Sequence, residues 1–342
     1  MSSKIKFAII GQGHIGKRHA EMIRRRDDAE VVAVCDILSK EETGQASIKE
    51  NYYFSEEEML RAHPEIEVVN VCSPNGLHAV HALKALEAEK HVVIEKPMAL
   101  SKTDCESVIF KALQVHRNVF CVMQNRYSPP SVWLKKIVEE KIIGEVYLVQ
   151  LNCYWNRDER YYKNDSWKGT QSLDGGTLFT QFSHWVDLIY WLFGDITNIQ
   201  AKFADFNHQH LTEFEDSGFV SFQFLNGGMG SINYSTAVWD TNLESSITVV
   251  GSNGSVKVGG QYMDKVEYCH LKDYPMPKLE ATAPANDYGG YKGSANNHQF
   301  VIQNVVDTLR GKNKITTNAL EGLKVVEMIE RIYSLRKADR KG

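Results

Sequence analysis

The chain lacks the features that mark most specialised classes of protein. No run approaches the roughly 18 apolar residues of a membrane span. The N-terminal Met1-Ser2-Ser3-Lys4 leads straight into a strand pattern, without the apolar region of a signal peptide. A cytoplasmic protein is expected. Positive charge is not in excess: 39 Lys and Arg stand against 43 Asp and Glu. No basic field therefore invites nucleic acid or an anionic membrane, and any anionic ligand must be held by local charges. The six cysteines (35, 72, 105, 121, 153 and 269) include no C-x-x-C pair and no dense framework. Several sit in apolar runs, which reads as buried thiols in a reducing compartment, with neither disulfides nor a metal site. Internal repeats and low-complexity tracts are also missing. What remains is 43% apolar and 24% charged over 342 residues, the make-up of an ordinary globular chain of one or two domains.

Against that background the stretch His91-Val92-Val93-Ile94-Glu95-Lys96-Pro97 stands out. Its β-branched run predicts a buried parallel strand, stopped by an acid, a lysine and a proline that cannot continue the ladder. Ends of parallel strands face the ligand crevice. A strand lysine is ordinarily a solvated edge charge. Lys96 differs because a dinucleotide-binding unit precedes it. Ile5 to Ile10 predicts a strand, followed by Gly11-Gln12-Gly13-His14-Ile15-Gly16 and a helix through Arg26. In that setting Gly11 permits the tight turn, Gly13 lets backbone approach a pyrophosphate, and Gly16 lets helix pack on strand. The helix N-terminus, with its open N–H groups and dipole, favours the pyrophosphate. A second strand, Glu30 to Cys35, ends in Asp36. A carboxylate there accepts from both ribose hydroxyls and repels a 2′-phosphate. With no arginine in Ile37-Leu38, the expected cofactor is NAD rather than NADP.

Val68 to Cys72 predicts a third buried strand, leading to Ser73-Pro74-Asn75-Gly76-Leu77-His78. Ser73, Asn75 and His78 either line the cofactor crevice or serve as caps and turn residues. A helix from Ser101 to His116 and a strand from Val119 to Met123 follow. This alternation predicts an α/β architecture, with a doubly wound parallel sheet (a Rossmann domain) over residues 1–122.

Residues 123–342 read as an α+β domain for substrate binding and oligomerisation. A strand, Glu145 to Tyr154, precedes a tyrosine-rich charged loop, Asn156 to Gln171. In that loop Trp167 and Lys168 offer a flat surface and a cation for a base, sugar or diphosphate, or else pack among aromatics or at a subunit interface. Leu178 to Phe193 predicts one helix on which Thr180 and His184 share a face, with Asp187 either orienting the imidazole or solvated on the helix surface. From Ile196 to His270 the pattern has period two, which predicts an open, mostly antiparallel sheet. Its aromatic content points to a partner subunit on the uncovered face, hence a homodimer or homotetramer packed sheet to sheet. A turn-rich segment, Ala283 to Gly293, and helices Asn297 to Leu309 and Asn318 to Lys337 complete the chain.

Taken together, Gly11-x-Gly13-x-x-Gly16, Asp36, Ser73-Pro74-Asn75 with His78, and Glu95-Lys96-Pro97 resemble the glucose–fructose oxidoreductase, inositol dehydrogenase and MocA superfamily. Later signposts are Asn125-Arg126-Tyr127, Gly175-Gly176 and His184 ahead of Trp191-Leu192-Phe193-Gly194. The resemblance implies an enzyme that binds NAD(H) or NADP(H) and oxidises or reduces sugar and cyclitol carbons, with the lysine and the later histidine flanking the reacting carbon. The usual family helix carries an aspartate four residues before that histidine; here the position is Thr180. The run Thr180-Gln181-Phe182-Ser183-His184, with Trp155-Asn156-Arg157 and Trp167-Lys168-Gly169, looks like the branch that oxidises UDP-N-acetylglucosaminuronic acid for diamino-sugar and surface polysaccharide synthesis. In that reading Asn125, Arg126, Tyr127, Arg157, Trp167, Lys168, Thr180, Gln181 and His184 meet the nucleotide sugar. Arg126 is foremost for an anionic group, since bidentate arginine suits carboxylate and diphosphate alike.

An ordinary lysine, with a pKa of about 10.4, is charged at neutral pH. Lys96 therefore acts as base only if desolvated or placed beside a cation, and otherwise stabilises the alkoxide while His184 takes the proton. Two other readings stay open. One keeps fold and cofactor but takes a free sugar, an inositol or a biliverdin-like molecule. The other is a catalytically silent dinucleotide sensor, which has no need of Lys96 or His184.

Overall fold

Ile5–Ile10 (β1) is buried almost throughout, as expected of a central parallel strand covered on both faces. It opens an alternating series: His14–Arg24 (α1), Ala29–Cys35 (β2), Asn51–Tyr53 (β3), Glu56–Ala62 (α2), Val68–Val71 (β4), His78–Glu87 (α3), His91–Ile94 (β5), Lys102–Gln114 (α4) and Val119–Cys121 (β6). Ser55 and Ser101 start α2 and α4 by accepting a backbone N–H with their hydroxyls. The strands form one sheet in the order β3-β2-β1-β4-β5-β6, all neighbours parallel. The sequence pattern missed β3, whose 3 residues are too few to show alternation.

The computed structural model describes residues 3–163, 166–287 and 291–336. The chain forms two compact units, one reaching to Met123 and including His298–Val326, the other comprising Gln124–Asn297 and the residues from Glu327 onward. Within the second unit lie Pro129–Glu139 (α5), Val146–Tyr154 (β7), Thr177–Thr180 (α6), Ser183–Phe193 (α7), Ile196–Ala204 (β8), Ser217–Phe224 (β9), Met229–Ser235 (β10), Glu244–Gly251 (β11), Gly254–Gly259 (β12) and Lys265–Leu271 (β13). A small pair, Ala285–Asp287 (β14) and Lys292–Ala295 (β15), follows. Residues 288–290 of the turn-rich segment expected from Ala283 to Gly293 lie outside the described residues.

The large sheet has the order β13-β12-β11-β7-β10-β9-β8. It is antiparallel except where β10 runs parallel to β7, because β7 enters the middle of the sheet between two hairpin-linked groups. Trp185 and Phe193 of α7 pack on Trp155, just past β7, and on Phe224 of β9. The strand register puts Leu148, Phe219, Met229 and Tyr268 together on the opposite, exposed face.

Two expectations are corrected. The helix drawn from Leu178 to Phe193 is broken into α6 and α7 at Gln181-Phe182. Phe182 leaves helical geometry to pack its ring against Trp155, Trp185 and Tyr234, so Thr180 and His184 do not share one continuous helical ridge. The tail, assigned by sequence order to the second domain, is divided. His298–Leu309 (α8) lies against α1 and buries Val301, Ile302, Val305 and Val306, supplying helical cover that a parallel sheet needs. The Cys121 N–H donates to the Thr317 carbonyl at 3.0 Å, ahead of Ala319–Tyr333 (α9). The expected helix end at Lys337 is outside the described residues. Among those residues no helix is long and apolar enough to cross a membrane.

Candidate active site

The turn after β1 is shaped for close approach. Gly11 has φ +91°, and a Cβ there meets the Cys72 carbonyl at 2.6 Å; a Cβ on Gly16 strikes the Gly11 carbonyl. At Gly13, the N-cap of α1, a Cβ meets nothing within 4 Å. Open space therefore lies beside a helix N-terminus with no side-chain cap, which is what a pyrophosphate requires. Asp36 is fixed by the Gln12 N–H at 2.5 Å on one oxygen and the Leu38 N–H at 2.9 Å on the other. The Gln12 side chain is buried and accepts from Gln45 at 2.7 Å, so Gln12 serves the turn through its backbone. His14 is exposed and Ile15 half-buried at the start of α1. These residues fit NAD.

At the ends of β4 and β5 the side chains turn inward. His78 is buried, with Nδ1 2.7 Å from the Pro97 carbonyl and Nε2 2.8 Å from the Ser73 carbonyl. A neutral ring donates to one of these at a time, and burial pushes His78 below the ordinary histidine range against the pull of both carbonyls. His78 thus ties the turn after β4 to the turn after β5. Asn75 is buried and Ser73 half-buried in the first of these turns.

Glu95, expected to face the cofactor, is buried and directed into the protein. Its Oε1 accepts from His19 Nε2 at 2.9 Å and lies 3.5 Å from His298 Nε2, while Oε2 accepts the Lys96 N–H at 3.1 Å. Asn70 donates to His19 Nδ1 at 2.8 Å, which leaves the imidazole proton on Nε2 for Glu95. Burial alone raises a carboxyl's pKa; the hydrogen bonds and charge of His19 and His298 overturn this and hold Glu95 well below the usual carboxylate range. These three residues bring potential metal-ligand atoms within 4.8 Å of one another, yet His19 and Glu95 are already joined through a donated proton. Lys96 itself is half-buried.

In the second unit a short helical turn, Gln124–Tyr127, carries Asn125 and Arg126, both buried, and the half-buried Tyr127. Arg126 forms a fork on Asp187, Nε to Oδ2 at 2.8 Å and Nη2 to Oδ1 at 2.6 Å, and its guanidinium lies 5.4 Å from the centre of the Trp191 ring. The arginine ranked first for an external anion thus already has an internal one. The Asp187 carboxylate, expected to orient His184 or to be solvated, is buried and accepts that fork. His184 is buried, its ring edge-on to Trp185.

Arg157 is also buried, but its partners are neutral: Gln181 Oε1 at 2.7 Å, the Asn156 carbonyl at 2.6 Å, Asn242 Oδ1 at 3.3 Å and the Lys292 carbonyl at 3.2 Å. The rings of Trp155, Tyr161 and Tyr291 surround it. Lys168 Nζ sits 4.0 Å from the centre of the Tyr161 ring and donates to the Tyr291 hydroxyl at 3.3 Å. Burial, then the neighbouring Arg157 charge, push its ammonium down to about 8. Trp167 is half-buried beside it. The nearby carboxyl is Asp174, which accepts the Gly169 N–H at 2.8 Å and is hydrogen-bonded to the Thr180 hydroxyl. Burial pushes Asp174 up to about 6. A carboxyl therefore does stand beside position 180, contributed from outside the helix.

Sequence reasoning missed His19, His298, Asp174 and Tyr291. His19 was the most accessible of these, since it lies on the buried face of α1 with Gly16, Ala20 and Ile23. Nothing local marks Tyr291 or His298, which reach their partners only through the fold.

Comparison with known proteins gives the family. Residues 5–123 match an oxidoreductase family with an NAD-binding Rossmann fold, and residues 132–257 match the GFO/IDH/MocA C-terminal domain. The WlbA dehydrogenase from Bordetella pertussis, crystallised with NADH and UDP-GlcNAcA, superposes with a TM-score of 0.84 at 31% identity, covering 97% of this chain and 96% of that one. Its counterpart from Chromobacterium violaceum, also with NADH and UDP-GlcNAcA, gives 0.83 at 33% identity over 98% and 94%. The D-glucoside 3-dehydrogenase of Escherichia coli K12 is 26% identical over 97% of this chain and 95% of its own length.

Proposed function

The chain belongs to the Gfo/Idh/MocA family of oxidoreductases, in its WlbA-like branch, and from that premise we propose that it oxidises the 3-hydroxyl of a UDP-N-acetyl-hexosaminuronate to the 3-keto sugar. The enzyme is an NAD-dependent sugar dehydrogenase. The observation that carries the finer reading is identity above 30% along nearly the whole chain with two enzymes whose structures hold NADH and UDP-GlcNAcA. A 3-keto product of this kind suits later amination to the 2,3-diamino sugars of surface polysaccharides.

NAD supplies the hydride acceptor. The backbone N–H groups at the start of α1 and the Asp36 carboxylate would hold it, and Lys96 and His184 would bind the hydroxyl being oxidised, one of the two accepting its single proton. Lys168 and the adjoining Arg157 supply positive charge for the anionic part of the substrate; Arg126 does not, being already matched by Asp187. Because Lys168 is pushed down to about 8, raising the pH through that value removes its charge. The KM for an anionic nucleotide sugar is therefore expected to climb up to about tenfold by pH 9. Lys168→Arg keeps the charge and flattens the climb; an equally steep rise in that variant rules Lys168 out.

Absorbance of the reduced nicotinamide, followed with NAD and a panel of UDP-sugars, free hexoses and inositols, tests the substrate. Turnover confined to UDP-uronates is expected. Turnover with a free hexoside and none with nucleotide sugars favours the second reading, a glycoside dehydrogenase, which the E. coli relative supports. A homodimer or homotetramer is part of the proposal, built on the sheet face that exposes Leu148, Phe219, Met229 and Tyr268. A clean monomer in sedimentation at micromolar concentration counts against it.

A further inference from the structure

We propose that His298 and His19 position Lys96 by clamping the Glu95 carboxylate, so that His298 is a positioning residue for the reaction although it lies far away in sequence. The proposal rests on the dehydrogenase reading of Lys96. The two oxygens of Glu95 have separate tasks: Oε2 accepts the Lys96 N–H at 3.1 Å, while Oε1 faces both imidazoles, 2.9 Å from His19 and 3.5 Å from His298. All three side chains are almost completely buried.

A buried carboxylate is costly unless its lone pairs are met. Glu95 therefore stays in the rotamer that holds Lys96 while His19 donates to its other oxygen and the His298 ring, its Nε2 3.5 Å away, closes the far side of that oxygen. His19 in turn is anchored by Asn70 and belongs to α1, the helix whose N-terminus serves the cofactor. His298 is the first residue of α8 and the point at which the chain re-enters the first unit. One carboxylate thus registers the cofactor helix, α8 and the strand end leading to Lys96 against one another. Removing His298 frees one side of Glu95 and lets the Lys96 backbone drift. Misplacement of a reacting group by about 1 Å can cost on the order of a hundredfold in rate.

The test compares His298→Ala, His298→Gln and His298→Asn in the full-length enzyme. Glutamine places an amide nitrogen where imidazole Nε2 stands; asparagine falls one methylene short. Three readouts are taken: kcat and KM on the best substrate of the panel, NADH affinity by nicotinamide fluorescence, and hydrogen exchange of the Lys96 amide by mass spectrometry. In His298→Ala, kcat is expected to fall at least about tenfold with KM and NADH affinity within about twofold, and the Lys96 amide to exchange at least about tenfold faster. Glutamine restores both, asparagine neither.

The proposal is overturned if the alanine variant keeps kcat and exchange rate, or if glutamine is no better than asparagine. It is also overturned if the purified enzyme holds stoichiometric zinc that His298→Ala loses, since the three side chains then serve a metal. If alanine prevents folding, the glutamine–asparagine contrast decides alone. A wild-type enzyme that oxidises no sugar defeats the dehydrogenase reading, and the exchange of the Lys96 amide still decides whether the clamp exists.

Discussion

Replacing Lys96 with alanine lowers kcat by at least about a hundredfold and leaves NADH binding intact. The lysine lies two residues past the end of the buried strand β5, and its backbone is pinned by Glu95. The groups proposed to hold the cofactor, namely the Gly11 turn, the α1 N-terminus and Asp36, belong to other elements that the substitution does not touch. Binding and turnover should therefore separate. Steady-state rates at the reduced-nicotinamide band and fluorescence titration with NADH measure the two independently. Lys96→Arg refines the result, because arginine retains the charge but cannot take up a proton at working pH. Partial activity in the arginine variant assigns Lys96 to alkoxide stabilisation; a loss as deep as that of alanine assigns it to proton transfer. Near-wild-type turnover in Lys96→Ala removes the residue from the mechanism.

Asp187→Ala is expected to destabilise the second unit by about 3–5 kcal/mol. Arg126 and Asp187 are each 1% exposed and joined by a two-bond fork, so removal of the carboxylate strands a guanidinium away from water. The cost comes from that stranded charge more than from the lost attraction. The double replacement Arg126→Met with Asp187→Leu, which removes both charges and keeps apolar volume, should recover most of the loss. Urea unfolding followed by tryptophan fluorescence is a suitable readout, because all 6 tryptophans lie between residues 133 and 239, within the second unit. If the double variant is no more stable than Asp187→Ala, the fork is not the source of the effect. Together with the Lys168 titration, this result separates an arginine that builds the unit from the lysine proposed to meet the ligand.

The sequence by itself determined what depends on neighbours along the chain. Gly11, Gly13 and Gly16 follow from a turn and a helix start within six consecutive residues, Asp36 from the end of the next strand, and the parallel sheet from short β-branched runs alternating with helical ones. The period-two pattern from Ile196 onward likewise announced the second sheet, because alternation directly reports one buried face. The tertiary structure alone decided which partner each buried polar group received. Periodicity marks a side chain as inward-facing but carries no information about what it meets there. Arg126 therefore looked like a ligand for an external anion until Asp187 was seen in its fork, and Asp174 gave no sign that it would reach Thr180. Phe182 broke a helix that its residues otherwise support, because burying its ring among Trp155, Trp185 and Tyr234 outweighs local propensity. His298 came to Glu95 for the same reason that α8 came to α1: a parallel sheet buries both faces, and the chain must return to supply the cover.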